Sequence, residues 1–289
     1  GLLALAVEWL PLWLPSPDQV TPLALALGLM ALLWALPGLA LALRLVGFLV
    51  LLTVPAITQP PPDLAPGELR VRVHDVGQGQ LIELRTAGYR ALYDAGPRFG
   101  SGFTPLETLW PPGQRFDRVI VSHADLDRAG GVGGLVDRHR VGDFLAPAGE
   151  TFEVAFTPCR AGDAWERDGV HFRFLWPPAD TDGLSSNDRS CVLEASAGGQ
   201  RLLVTGDVGR EVERAVLLEA EAPLSALVAG HHGSRTSSGP QLVQHLVPQH
   251  VVFSAGRHNP FGHPDDGVVR RFRGVGSCLW STAHDGAVT

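Results

Sequence analysis

The distribution of hydrophobic residues divides the chain into three segments. Residues 1–58 are almost uncharged and rich in Leu and Ala, whereas residues 69–289 have the mixed composition of a folded, water-facing domain. Between them, residues 59–68 are rich in Pro, which is typical of a semi-rigid linker. The pattern therefore predicts membrane-associated helices, a linker and one larger domain.

The first segment contains two long apolar runs. Residues 21–36 and 39–57 are separated by Pro37 and Gly38, which predicts a helical hairpin that crosses the membrane. Arg44 in the second run has to reach the membrane surface or face protein. One long broken helix, or a hairpin buried in a protein core, is the alternative. Because the chain begins within hydrophobic sequence, we expect these helices to be the end of a longer transmembrane region.

The third segment changes to short apolar runs that alternate with amphipathic stretches. The runs predict strands at 69–76, 81–85, 90–96, 117–123, 170–177, 191–197, 201–207, 224–232 and 250–256. Helical spacing predicts helices at 130–139, 209–220 and 239–246. This mixture predicts an α/β domain.

Charge and cysteine content exclude some classes of protein. A net charge of −7 argues against a broad basic surface for nucleic acid, although local Arg clusters remain compatible with it. The three cysteines, Cys159, Cys191 and Cys278, are odd in number, far apart and outside any C-x-x-C pair. They predict neither a disulfide framework nor a zinc knuckle.

The segment VSHADLDRAGG begins at the end of the predicted strand 117–123 and contains the main candidate metal ligands. His123, Asp125 and Asp127 occupy alternate positions, and two glycines follow, Gly130 and Gly131. In a tight turn such residues can point toward one metal ion while the glycines let the backbone fold closely beneath it. The alternative is that an Asp caps the next helix. A cap needs only one Asp and leaves His123 unexplained, so the pattern favours a metal turn.

Other potential metal ligands also follow predicted strands or lie in loops. They are Asp94, Asp207, His231, His232 and His263. Loops at one edge of a sheet gather such residues in one cavity. A divalent cation is the simplest reason to gather unpaired carboxylates and histidines there.

Seven segments, in chain order, resemble those of the ComEC/Rec2 family of DNA-uptake channels. They are HDVGQGQ, LYDAG, SHADLDRAGG, SNDRSCVLE, LLVTGD, AGHHGSRTSS and NPFGHP, and the match as a whole covers about residues 69–289. The resemblance implies a four-layered αββα metallo-beta-lactamase sandwich preceded by a transmembrane hairpin. It also implies a metal-dependent phosphodiesterase that degrades the DNA strand that is not imported.

The resemblance assigns roles to individual residues. The implied metal ligands are His123, Asp125, Asp127, Asp207 and His231, and Asp127 and Asp207 would also accept protons. Asp94 would contact the metal ligands and hold them in position without binding the metal itself. Asn187 and Ser190 would line the pocket. Phosphate contact, or a second metal, would involve His232, Ser234, Thr236 and His263.

Two residues depart from the family pattern. The family motif resembles H-x-D-x-D-H, and Arg128 stands here in place of the last His. A guanidinium has no free lone pair and cannot bind a metal. We therefore expect one ion, Zn or Mn, and two ions are in doubt. Arg128 would contact phosphate or act as a fixed cation. The other departure, Gln80, is expected to be minor.

Three functions remain open from the sequence. The first is a nuclease domain that acts on single-stranded DNA beside other competence proteins. The second is a weakly active DNA-guiding domain in which Arg128, Arg235 and Arg257 contact phosphates. The third is a small-molecule hydrolase of the same fold. For the first two, the resemblance implies a multi-pass protein of the inner (plasma) membrane, with the α/β domain facing outward from the cytoplasm.

Overall fold

The computed structural model describes residues 64–289 together with Trp34, Leu41 and Leu45, which have helical backbone. The chain divides into two compact units, one of residues 64–107 with 112–289 and one of residues 1–63 with 108–111. Apart from those three residues, the predicted hairpin lies outside the described residues, as does the first half of the linker. Among the residues that are described, no helix is long and apolar enough to cross a membrane.

Two mixed sheets form the centre of the larger unit. The first contains β1 (Arg70–Val73), β2 (Ile82–Arg85), β3 (Arg90–Tyr93), β4 (Arg115–Ile120), β5 (Arg140–Ala146) and β6 (Thr157–Pro158), in that order. The second contains β7 (Ala164–Arg167), β8 (Val170–Trp176), β9 (Val192–Ala197), β10 (Gln200–Val204), β11 (Ala226–Val228), β12 (His250–Phe253) and β13 (Cys278–Ser281). Strands β1 to β3 and β7 to β10 pair antiparallel, and β3 to β6 and β10 to β13 pair parallel. Each sheet is thus half antiparallel and half parallel.

Helices follow the parallel strands. They are α1 (Leu106–Leu109), α2 (Leu126–Ala129), α3 (Val132–Arg138), α4 (Arg210–Glu219), α5 (Pro240–Leu246), α6 (Asp266–Gly274) and α7 (Thr282–Asp285). Short 3-10 turns span Asn187–Arg189 and Gly230–Gly233. The predicted metal turn therefore enters a helix earlier than expected, because Asp127 and Arg128 lie within α2.

Two hydrophobic clusters hold the layers together. One lies between the sheets and contains Tyr93, Phe172 and Val204. The other packs the outer face of the second sheet against α4, α5 and α6, while α3 covers β5 of the first sheet. Burying large apolar side chains on both faces of a sheet is what stabilises such a sandwich. The predicted α/β sandwich is confirmed.

A disulfide bond between Cys159 and Cys191 corrects the prediction from cysteine spacing. Their Cα atoms are 6.1 Å apart across 32 residues of sequence, and both side chains are buried. Cys159 directly follows β6 of the first sheet, and Cys191 directly precedes β9 of the second. The bond therefore links the two sheets, so its pairing depends on sheet packing and leaves no local signal. Cys278 is free and exposed.

Candidate functional site

The candidate residues meet where the parallel strands of both sheets end. Asp94 follows β3 and His123 lies shortly after β4, while Asp207 and His231 lie after β10 and β11. Neighbouring parallel strands end level with one another in each sheet. Since the carboxyl ends of parallel strands share an edge, the topology gathers side chains that are far apart in sequence.

The backbone at this edge has an unusual conformation. Asp94, His231 and His232 have φ angles of 61°, 49° and 56°, and they are three of the six non-glycine residues with positive φ in the described chain. This left-handed conformation costs energy for residues with a side chain and tends to persist at functional sites. The surrounding contacts must therefore hold these three residues in place.

Glycines permit the close approach of loops below the metal turn. A Cβ atom on Gly131 would lie 2.1 Å from the carbonyl oxygen of Ala95, and one on Gly79 would lie 2.6 Å from that of Asp127. No side chain fits at such distances. Gly131 therefore has the role that the sequence predicted for it.

His123 forms one side of the site. Its side chain is fully buried, and its Nδ1 atom lies 3.0 Å from Ser122 Oγ and 3.3 Å from Ser190 Oγ. Its Nε2 atom has no hydrogen-bond partner among the described residues. That atom lies 3.5 Å from Asp125 Oδ2 and 3.8 Å from Asp207 Oδ2. Burial lowers the pKa of His123, but the two nearby carboxylates outweigh burial and raise the pKa above its ordinary value.

His231 completes the same side. Its Nε2 atom lies 3.8 Å from Asp207 Oδ2, and its Nδ1 atom lies 3.3 Å from Thr236 Oγ1. Thr236 in turn donates to Ser234 Oγ at 3.0 Å. Burial is the main reason that the pKa of His231 falls below its ordinary value, so the ring is neutral near pH 7. We call His123, Asp125, His231 and Asp207 Oδ2 the His123 side.

Arg128 occupies the centre of the opposite side. It has no accessible surface, and its Nη2 atom donates to Asp207 Oδ1. The same atom lies 3.1 Å from His232 Nε2. Its Nη1 atom lies 3.6 Å from Asp94 Oδ2, and its Nε atom lies 3.9 Å from Asp127 Oδ2. We call Arg128, Asp94, Asp127, His232 and Asp207 Oδ1 the Arg128 side.

His232 and Asp127 form a hydrogen-bonded pair on the Arg128 side. His232 Nε2 lies 2.8 Å from Asp127 Oδ2, and His232 Nδ1 lies 2.6 Å from the carbonyl oxygen of Ser254. A carbonyl only accepts, so Nδ1 carries a proton that it donates to Ser254, and one proton lies between Nε2 and Asp127 Oδ2 when these two atoms are hydrogen-bonded. Burial raises the pKa of Asp127, but His232 and Arg128 outweigh burial and hold that pKa below its usual range.

Asp94 lies behind Arg128 and is fully buried. Its Oδ1 atom accepts from the backbone N–H of Ser122 at 2.7 Å, and its Oδ2 atom accepts from Gln80 Nε2 at 3.0 Å. Burial raises the pKa of Asp94 in spite of the Arg128 charge and the Ser122 hydrogen bond. Gln80, whose departure from the family pattern was expected to be minor, thus makes a direct contact with a carboxylate of the site. The only sequence signal for this role was that Gln80 lies inside the HDVGQGQ motif.

The remaining predicted residues surround this centre. Ser190 accepts from the backbone N–H of Asp207 at 3.1 Å as well as facing His123, and donates to the carbonyl of Asn187 at 2.7 Å. The ring of His263 stacks on that of His232, with centroids 6.4 Å apart. Asp125 stands at the first position before α2, yet its side chain makes no capping hydrogen bond. The capping alternative is therefore wrong for Asp125.

The two sides fit a metal ion differently. Donors bound to one tetrahedral ion at about 2.1 Å lie roughly 3.4 Å apart. The pairs of the His123 side, at 3.5 and 3.8 Å, are close to this spacing. In the described part of the chain no three His, Cys, Asp or Glu side chains already stand as a metal-holding group. The His123 side thus offers donors at nearly the spacing that a metal ion would need, whereas the Arg128 guanidinium already lies among the donors of the other side.

Comparison with known proteins shows the family of this chain. The profile of the metallo-beta-lactamase superfamily matches residues 74–250. Competence protein ComA of Neisseria gonorrhoeae is 35% identical over 242 residues, which cover 83% of this chain and 34% of that protein. Recombination protein 2 of Haemophilus influenzae is 31% identical over 220 residues, which cover 74% and 28%. The chain thus spans about a third of the length of these relatives.

Among solved structures, CmlA, a diiron beta-hydroxylase from Streptomyces venezuelae, superposes with a TM-score of 0.52 at 14% sequence identity. The match covers 80% of this chain and 55% of CmlA, and it supports the fold alone. With the profile and the competence-protein relatives, it agrees with the family that the motifs resemble. The chain therefore belongs to the metallo-beta-lactamase superfamily and is a homologue of the ComEC/Rec2 competence proteins.

Proposed function

We propose that this chain carries the metal-dependent hydrolase domain of a membrane DNA-uptake channel, and that the domain degrades the DNA strand that is not imported during natural transformation. One observation carries the proposal: Asp207 Oδ2 lies 3.8 Å from His123 Nε2 and 3.8 Å from His231 Nε2. A carboxylate oxygen placed between two histidine nitrogens, one of them buried and unpaired, is an arrangement suited to a divalent cation.

The donors of the His123 side would hold that ion. They are His123, Asp125, Asp207 and His231, a mixed set that suits Zn or Mn and leans toward Mn because two donors are oxygen. When bound, the ion would polarise a phosphodiester and lower the pKa of a water molecule. Ser122 and Ser190 fix the His123 ring by facing its Nδ1 atom, so that Nε2 points toward the carboxylates.

The Asp127 carboxylate is the proposed proton acceptor that solvent can reach, because its side chain is 31% exposed whereas that of Asp207 is 4% exposed. A proton that arrives at Asp127 Oδ2 is 2.8 Å from His232 Nε2, so the two groups can share it. The proposed phosphate contacts lie around His231 and His232; they are His263, Ser234 and Thr236. Asn187 is proposed to line the pocket.

The disulfide supports an outward-facing domain. Structural disulfides persist mainly in oxidising compartments, and Cys159 and Cys191 are both buried between the sheets. We therefore propose that the domain lies on the outer side of the inner membrane, beside other DNA-uptake proteins. In intact cells, both cysteines should resist a membrane-permeable thiol reagent until a reductant and a denaturant are added. Labelling of both without reductant would contradict this location.

A DNA-guiding domain with little activity is the second candidate. Arg235 and Arg257 are exposed on loops next to the site, where they can contact phosphates. Arg128 cannot share that role as it stands, because its side chain has no accessible surface and its guanidinium is surrounded by carboxylates. The guiding candidate therefore rests on two arginines instead of the three expected from the sequence.

The test is cleavage of end-labelled single-stranded DNA by the full chain, stripped with a chelator and then supplied with Mn or Zn. We expect cleavage that depends on the metal and falls at least 100-fold in His123→Ala. His171→Ala is the control, because His171 is an exposed histidine paired only with Glu166 on the surface. Metal uptake with DNA binding but no cleavage would favour the guiding domain. Turnover of a small phosphodiester with intact DNA would favour a small-molecule hydrolase.

A further inference from the structure

We infer that Arg128 is the permanent second cation of this site, so that the site holds one exchangeable metal ion on the His123 side and none on the Arg128 side. The inference rests on the proposed function for the His123 side and adds the number of ions and the reason for it.

The groups around Arg128 are those that would hold an ion if the guanidinium were absent. Asp207 Oδ1 accepts from Nη2, His232 Nε2 lies 3.1 Å from Nη2, and Asp127 Oδ2 lies 3.9 Å from Nε. A histidine and two carboxylates are a common donor set for a divalent metal. Asp207 belongs to both sides, because its Oδ2 atom faces His123 and His231.

The hydrogen bonding of Arg128 is sparse for a buried arginine. Nε and Nη1 have no hydrogen-bond partner among the described residues, so only Nη2 has partners at hydrogen-bonding distance. Buried guanidinium groups normally have most of their five donors satisfied. Here the guanidinium is held by the carboxylates of Asp94, Asp127 and Asp207, which match its charge better than its donor geometry. The surroundings therefore suit a compact cation better than they suit an arginine.

A fixed cation has one consequence that a metal does not have. A chelator removes an ion but cannot remove Arg128, so the Arg128 side stays neutralised when the His123 side is empty. Arg128 then acts as a positioning residue. By binding Asp207 Oδ1, it keeps Oδ2 turned toward His123 and His231 whether or not metal is present.

The first measurement uses the unaltered full chain. Loaded with Mn and separated from free metal, it should contain about one ion per chain and give the electron paramagnetic resonance spectrum of an isolated Mn ion. About two ions with the spectrum of a spin-coupled pair would overturn the inference. This measurement does not depend on the folding of any variant.

The second measurement compares substitutions at position 128. Arg128→His restores a donor and should raise the metal content to about two ions, with a coupled spectrum and a gain in thermal stability on adding metal. Arg128→Met removes the charge and leaves Asp127, Asp207 and His232 as donors, so it should lose stability in the presence of a chelator and bind a second ion more weakly than Arg128→His does. Arg128→Lys keeps a charge and should resemble the unaltered chain in ion content.

The outcomes separate this inference from the proposed function. If Arg128→His stays at about one uncoupled ion, the Arg128 side is not an ion position and the inference is wrong. If the unaltered chain binds no metal but Arg128→His binds one, the metal-dependent function and the ion of the His123 side both fail, and only the conclusion that Arg128 fills an ion position stands. If neither binds metal, both fail.

Discussion

The two sides of Asp207 differ although they share one carboxylate and one ligand turn. On the His123 side, a buried histidine nitrogen has no hydrogen-bond partner among the described residues and faces two carboxylates. On the Arg128 side, a guanidinium already lies among three carboxylates. The residue type at position 128 thus decides whether this cluster of acidic side chains is open to a metal or neutralised by the protein itself.

The largest expected effect comes from removing the carboxylate that the two sides share. Asp207→Ala leaves the buried Arg128 without its closest partner, which should lower the free energy of unfolding by about 3–5 kcal/mol, and it should also abolish metal binding. Urea denaturation and metal titration measure the two effects.

The control for this substitution is Asp143→Ala. Asp143 pairs with Arg118 at 2.7 Å, but its side chain is 41% exposed, so the loss should stay below about 1 kcal/mol. Equal losses in Asp207→Ala and Asp143→Ala would show that the buried network does not stabilise the fold.

The ion pair of Glu83 and Arg90, which is not part of the site, provides a reference for the stability that the ion pairs of Arg128 contribute. Glu83 lies 2.5 Å from Arg90 Nε, and although burial raises its pKa, His74 and Arg90 hold that pKa at about 2 instead of 4.5. The folded-state pKa is lowered, so the stabilisation is fully present above pH 4.5 and is lost as the pH falls toward 2.

Glu83→Gln should therefore lower the free energy of unfolding by at most about 3 kcal/mol at pH 7, and the difference from the unaltered chain should shrink below about pH 4. Urea denaturation at pH 7, 5 and 3 measures it. A difference that grows toward low pH would mean that the sign of the pKa shift is wrong.

Two adjacent histidines offer a sharper comparison between the sides. His232 is buried with partners at both ring nitrogens, so His232→Ala should cost about 1–3 kcal/mol of stability and change the affinity for the first metal ion little. His231→Ala should leave stability without metal nearly unchanged and weaken metal binding by at least 10-fold. Unfolding in the presence of a chelator measures the stability of each variant, and metal titration measures its affinity for metal. If both variants behaved alike, the division of the site into two sides would be wrong.

The smallest expected effect concerns Gln80. Gln80→Leu leaves Asp94 Oδ2 without its side-chain donor, which should lower the free energy of unfolding by about 1–2 kcal/mol. The number of bound metal ions should not change, because the hydrogen bonds of Asp94 lead to His123 only through Ser122 among the described residues. Altered ion content in this variant would place Gln80 and Asp94 closer to the metal than the structure does.

Most of the strands that build the site were predictable, because their apolar runs are long and end in polar residues. Strands β5, β6, β7 and β13 were not predicted. For β5 and β7 the reason is that RVGDFLA and AWER mix polar and apolar positions, so their burial depends on neighbouring strands. The disulfide was not predictable either, because Cys159 and Cys191 approach only when the two sheets pack.

The sequence by itself determined the family resemblance, predicted the metal turn, and showed that position 128 cannot be a metal donor, because an arginine has no lone pair in any fold. It did not determine what Arg128 binds. Its partners Asp207 and His232 lie 79 and 104 residues away, on loops of the other sheet. Only the packing of the two sheets brings those groups around the guanidinium, because contacts between the ends of distant strands are set by topology and not by local spacing.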